Sequence, residues 1–261
     1  MTELAGSKYF GAELVPADRL ALIDEIRRIM RVPEIGVAFV LDEKGRLDYP
    51  DWKRGKACYF CVEDDEPDPY VPECLWEIYK TEQYHHIVWI SKDVWADGTD
   101  EFFCWIIAHE LQHLMQYLRN PMIPRTDNFL HDTLGSDRVE ERFVNSDLPA
   151  EVDADIKAWT VLAELNGKKA ADSYVAMKAN SREADSKRYQ DLQERTFNNG
   201  YNVESELPVL LRRYRDQLEL VKQDRAKKIA EESKDFAWPV DTSRDSVVTF
   251  DIDSALAKLE P

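Results

Sequence analysis

The 261-residue chain is short of basic side chains, cysteine, glycine and long apolar runs, and each shortage removes a class of function. Its 34 lysines and arginines face 51 aspartates and glutamates, a formal charge of −17 that repels a bare nucleic-acid backbone at long range. No uninterrupted apolar run exceeds seven residues, Ile35–Leu41 being one, whereas a helix needs about 20 to cross a bilayer. Neither nucleic acid nor a membrane is therefore an expected partner. The first twenty residues have neither a basic start nor an apolar core, so a secretory leader is not expected and a cytoplasmic location is. Four cysteines in a chain of this length do not build a disulfide framework, which suits the same compartment. Internal repeats and low-complexity tracts are missing too. What is present is 44% apolar residues, enough for the core of one large domain or two small ones, and this excludes fibrous or wholly disordered chains.

Residues 16–31 space Leu20, Ile23, Ile26, Ile29 and Met30 as one face of a helix. The run after Pro33 closes on Asp42-Glu43-Lys44-Gly45, and KACYFCV follows, which predicts a hairpin or meander. Residues 63–73 combine acids with three prolines and read as a loop. The β-branched and aromatic stretch 84–95 predicts a further strand. Thr99 is a fitting N-cap for a helix over Asp100–Asn120, which Pro121 ends. A polar, proline-containing connection is expected over 121–146, then a helix from about Leu148 to Asn166 with Pro149 in its first turn and Gly167 beyond its end. Residues 170–232 read as mostly helical, with interruptions near Asn198-Asn199-Gly200 and Pro208, and the chain end suggests a short strand and a helical turn or two. The expected architecture is α+β, a small antiparallel or mixed sheet packed on the Asp100–Asn120 helix and on the Leu148–Asn166 helix. Residues 1–167 would form this core and 168–261 a helical C-terminal portion packed on it.

All five histidines fall between positions 85 and 131, and two of them stand in Ala108-His109-Glu110-Leu111-Gln112-His113. Four residues turn a helix by about 400°, so His109 and His113 project from one face at a separation that lets two imidazoles share a metal ion. Glu110, one residue on, is too oblique to ligate and is placed to take a proton from a metal-activated water. Phe103, Ile106, Ile107, Leu111, Leu114 and Leu118 surround the pair and put it on a core helix. A tetrahedral zinc site needs a third protein ligand. The extended motif with a third histidine on the same stretch is missing, because Gln116 and Arg119 occupy the relevant positions. In Glu151-Val152-Asp153-Ala154-Asp155, Glu151 and Asp155 share a helix face while Asp153 points away by roughly half a turn. Glu151 is thus the candidate third ligand, with Glu140, Glu141 and Asp153 as competitors. Asp155 is the candidate acceptor for the free ring N–H of a ligating histidine. Ala150, Ala154 and Ala158 leave room for close approach of this helix.

HELQH followed by a helical ExxAD (Glu151, Ala154, Asp155) resembles the gluzincin superfamily of zinc metallopeptidases, which includes thermolysin-like enzymes and the single-domain minigluzincins. The likeness covers roughly residues 84–166. It implies Zn²⁺-dependent hydrolysis of a peptide or protein substrate, with His109, His113 and Glu151 as ligands and Glu110 as general base. It also implies a sheet before the active-site helix whose edge strand, here 84–95, holds the substrate in extended form. Members of this group stabilise the oxyanion with a tyrosine or histidine; His131 is the first candidate, beside Tyr174, Tyr189 and Tyr201.

Two rival readings come from other classes. One is a gluzincin-like fold that keeps zinc without cutting anything, and the other is an acidic interaction protein in which HExxH is coincidental. Cys58 and Cys61 form a CxxC without a second half, a pattern that in an apolar strand marks small buried hydrophobes more often than metal ligands. His85 and His86 fall on opposite faces of their strand.

Overall fold

The computed structural model describes residues 6–42, 56–62, 73–96, 98–134, 148–181, 186–196, 200–232 and 245–259. Among them the architecture is α+β, a small mixed sheet with a C-terminal portion that is mostly helical. Chain contacts cluster into two units, residues 1–115 with 154–193, and residues 116–153 with 194–261.

The first unit opens with strand β1 (Ser7–Phe10), helix α1 (Ala17–Met30) and strand β2 (Val37–Asp42). β1 and β2 are parallel, so α1 is the crossover that such a pair requires. Only glycine suits the exit from β1, because Gly11 has φ 82° and a Cβ there would lie 2.5 Å from the Leu41 carbonyl oxygen. Strand β3 (Ala57–Cys61), helix α2 (Glu73–Glu82), strand β4 (His86–Ser91) and the short helix α3 (Lys92–Trp95) follow. The strand order is β1-β2-β4-β3, with β2 parallel and β3 antiparallel to β4.

This order overturns two expectations. β2 and β3 are not a hairpin, because β4 lies between them, while residues 43–55, which hold most of the expected turn, are outside the described residues. β4 is not an edge strand either. It pairs on both sides, so its backbone is already used and cannot hold an extended substrate. The loop expected over 63–73 falls almost wholly outside the described residues.

Period-two alternation gives the sheet two apolar faces. Phe39, Val88 and Ile90 point into a cluster with Ile23 and Ile26 of α1, whereas Ala38, Phe60, Ile87 and Trp89 meet Leu75, Trp76 and Tyr79 of α2. Helix α4 (Asp100–Arg119) begins at Thr99, whose Oγ1 accepts the N–H of Phe102. It drives Phe103, Ile107, Leu111 and Leu114, all fully buried, into the same core as α1.

Helix α5 (Met122–Leu134) occupies the stretch read as a polar connection; residues 135–147 lie outside the described residues. Pro124 is third in this helix, where its missing N–H would have had no intrahelical partner, so the proline does not forbid the helix. Helix α6 (Pro149–Asn166) is followed by Gly167 at φ 87°. The remaining helices are α7 (Lys168–Ala179), α8 (Ser186–Thr196), α9 (Val203–Glu232), α10 (Ser246–Thr249) and α11 (Ile252–Leu259).

α9 runs through Pro208, where an interruption was expected, and forgoes one backbone hydrogen bond there. The expected terminal strand is instead helical, because Asp245 caps α10 by accepting the N–H groups of Val247 and Val248. In the second unit Phe129 and Leu130 of α5 meet Leu207, Leu211 and Leu218 of α9 and Ile252 and Ala255 of α11, which gives that unit its own core. Among the described residues no helix is long and apolar enough to cross a membrane.

Candidate metal centre

On α4, His109 and Glu110 are buried, at 6% and 7% exposure, while His113 is half-buried. The two rings stand nearly perpendicular, at 83°, and bring Nε2 of His109 to 3.2 Å from Nε2 of His113. Two imidazole lone pairs at that range repel, so the arrangement is stable with a proton on one nitrogen or a cation between them. Zinc–nitrogen bonds of about 2.0–2.1 Å at a tetrahedral angle separate two donors by about 3.3 Å, which matches.

His109 is held from its other side. Its Nδ1 lies 3.0 Å from Oδ1 of Asp155, which is 2% exposed. A carboxylate there requires Nδ1 to carry the proton, and that leaves the Nε2 lone pair free to ligate. Arg188 of α8 grips the same carboxylate through Nε and Nη2, and its Nη2 stands 3.3 Å from Nδ1 of His109. Burial pushes the Asp155 carboxyl up, but the Arg188 charge and the hydrogen bonds from His109 and Arg188 outweigh it, holding the group below the usual carboxylate range.

Glu151 stands one turn before Asp155 on the same helix, so the bond that fixes Asp155 also governs where Glu151 falls. One donor atom each from His109, His113 and Glu151 lie within 4.8 Å of one another, and the group is able to hold a metal ion. The chemistry of the donors fits: two imidazoles, one of them in a fixed tautomer, and a carboxylate. As carboxylates, Glu110, Glu151 and Asp155 carry −3 against +1 on Arg188, and a divalent cation offsets the difference.

The rival ligands go elsewhere or are not described. Oδ2 of Asp153 accepts a hydrogen bond of 2.8 Å from Nε2 of Gln116, while Glu140 and Glu141 lie outside the described residues. Among the oxyanion candidates, Tyr174 and Tyr189 pack on Trp105 with ring centroids 5.5 Å away, and the Tyr201 hydroxyl donates to the Pro149 carbonyl. His131 sits on α5 with Nδ1 3.1 Å from Oδ1 of Asp132. Its pKa is raised by that hydrogen bond, against the effect of burial, with help from the charges of Asp132, Asp127 and Glu151.

Cys58 and Cys61 are three apart on β3, which sends their side chains to opposite faces, so the pair cannot chelate one ion. His85 and His86 also diverge, the first toward the Val62 carbonyl and the second onto the Tyr59 hydroxyl.

Three contributors carry no motif. Arg188 is 79 residues from His109, and its only local signal is that Tyr189 and Leu192 dock α8 into the core beside it. Gln116 and Asp127 are buried polar residues, the first read only as the absence of a third histidine and the second within the expected polar connection. No protein-family model matches the chain, and no curated protein and no solved structure matches it.

Proposed function

We propose that the chain is a zinc-dependent, gluzincin-like metallopeptidase, with His109, His113 and Glu151 as ligands and Glu110 as general base. The observation that carries the reading is the facing pair of Nε2 atoms, 3.2 Å apart, with His109 locked from behind by Asp155. A bound zinc ion would supply Lewis acidity, lowering the pKa of a water and polarising the substrate carbonyl.

The chain's own groups do the rest. Glu110, buried beside the first imidazole, accepts the proton of the attacking water and then hands it to the departing amine. Asp155 and Arg188 hold the His109 ring in place throughout. His131, whose pKa is raised chiefly by its hydrogen bond to Asp132, is the candidate for the oxyanion.

The test is a chelator-sensitive digest of a peptide and protein library by the full chain loaded with zinc. Glu110→Gln should lower turnover by at least about 10²-fold, the low end of what general-base catalysis contributes, and leave zinc content unchanged. Undiminished turnover would remove Glu110 from the mechanism. One observation favours a second reading, a metal-holding protein that does not cut: β4 is paired on both sides, which takes away the strand expected to hold an extended substrate. Stoichiometric zinc without cleavage of any library member would select it.

A further inference from the structure

We propose that Gln116 and Asp127 form a clamp on Ala150 that positions Glu151 as the third metal ligand; the inference rests on the metal centre proposed above. Leu148, the residue before Pro149, has no side-chain acceptor with which to cap α6. The acceptor comes instead from α5: Oδ1 of Asp127, 7% exposed, takes the N–H of Ala150 at 3.0 Å. On the other side of the same residue, the Ala150 carbonyl accepts from Nε2 of Gln116 at 2.9 Å, and Gln116 is wholly buried.

The carbonyl gripped by Gln116 belongs to the peptide group that joins Ala150 to Glu151. Both peptide groups flanking Ala150 are therefore held by buried side chains, and the Glu151 Cα follows directly after the second. Gln116 also lies seven residues after His109 and three after His113, on one stripe of α4. The helix that carries both imidazoles thus holds the peptide group that carries the carboxylate. The second Nε2 hydrogen of Gln116 goes to Oδ2 of Asp153, one of the competing carboxylates. A wholly buried amide that spends both donors in this way sets a register that a leucine packed in the same space would not. Outer contacts that orient ligands are typically worth 10–100-fold in metal affinity.

The experiment uses the full chain stripped of metal. Zinc affinity is read by competition with a chromophoric chelator, and ligand geometry by the visible bands of bound Co²⁺, which are far stronger for four-coordinate than for six-coordinate ions. Glu151→Ala is the benchmark and should lose both tight zinc binding and the strong cobalt bands. Gln116→Glu keeps the shape but turns the donor toward two oxygens as an acceptor, and Asp127→Ala removes the cap. Each should weaken zinc binding 10–100-fold and move the cobalt bands toward those of Glu151→Ala. Asp127→Asn retains an acceptor oxygen and should stay within a few-fold of the parent, with circular dichroism of the metal-free proteins alike.

If Gln116→Glu and Asp127→Ala bound zinc like the parent while Glu151→Ala did not, the clamp would be refuted and the metal centre kept. Parent-like binding by Glu151→Ala would remove both. An Asp127→Asn variant as weak as Asp127→Ala would show that the accepted hydrogen bond is not the cause, and that too overturns the clamp. Should Gln116→Glu fail to fold, the Asp127 pair decides alone.

Discussion

His109 and His131 each present Nδ1 to an aspartate oxygen, at 3.0 and 3.1 Å, yet the two hydrogen bonds do different work. The His109 and Asp155 side chains keep 7% and 3% of their surface exposed, and the bond reaches across 46 residues of sequence. His131 and Asp132 are sequence neighbours exposed at 56% and 31%. In the first pair water cannot replace either partner, so the contact fixes a tautomer and a ring orientation. In the second, water competes at every moment and the contact mainly biases a titration. Geometry alone does not separate a positioning bond from an incidental one; desolvation does.

Asp155→Ala attacks the comparison hardest. It removes the partner of a guanidinium that keeps 23% of its surface exposed, and it frees the His109 ring. Breaking such a pair costs about 3 kcal/mol, the low end for a buried ion pair because Arg188 is partly wetted. Urea unfolding of the metal-free protein measures this, and zinc affinity should fall 10–100-fold in parallel. A loss as small as that of the surface pair would erase the distinction drawn here.

Arg27→Met sharpens it from the other direction. Arg27 of α1 is 3% exposed, and its Nε and Nη1 have no hydrogen-bond partner among the described residues. Its guanidinium lies 6.0 Å from the centre of the Phe39 ring, and burial pushes its pKa down, partly opposed by Tyr9 and Asp24. Where Arg188 answers a buried carboxylate, Nε and Nη1 of Arg27 meet no acceptor among the described residues, so their burial is a liability to the fold. Replacing it with methionine should stabilise the protein by about 1–3 kcal/mol, the penalty of unsatisfied buried polar groups. A destabilised variant would mean that the charge contributes more through the Phe39 ring than desolvation takes away.

The sequence was most legible where one local rule sufficed. Thr99 before an apolar-periodic run marks α4, and Pro149 with Gly167 brackets α6, so the helices bearing the histidines and Glu151 were both recognisable. Pairing was not legible. β2 and β3 are apolar neighbours along the chain, and nothing local shows that β4, from beyond α2, enters between them. β1 has four residues and lies at an edge, too short to declare an alternation. α5 and the passage through Pro208 were hidden because a proline signals a break wherever it stands, although its cost depends on whether its N–H had a partner to lose. At the site, the same divide holds. His109, Glu110 and His113 are written in five consecutive letters, but Arg188 reaches Asp155 only because the core docks α8 there. A residue recruited by packing leaves no spacing to read.

Asp132→Asn is the smallest of the three perturbations. The hydrogen bond that His131 donates to Asp132 raises the His131 pKa, with the Asp132, Asp127 and Glu151 charges adding to it against burial. A histidine raised in the folded state contributes stability that is fully present below its unfolded value of about 6.5 and is lost as pH rises through the folded value. The asparagine keeps an acceptor oxygen but loses the charge of Asp132 and weakens the hydrogen bond with it, so the His131 ring proton titration followed by NMR should move down toward the ordinary value. The exposed setting limits the stability change to less than about 0.5 kcal/mol at pH 6, shrinking to nothing at pH 9. Zinc affinity should stay within a few-fold of the parent, because none of the three proposed ligand side chains is touched. A tenfold fall would place the exposed pair among the groups that orient the metal, and exposure would then cease to mark which of two equal hydrogen bonds governs the site.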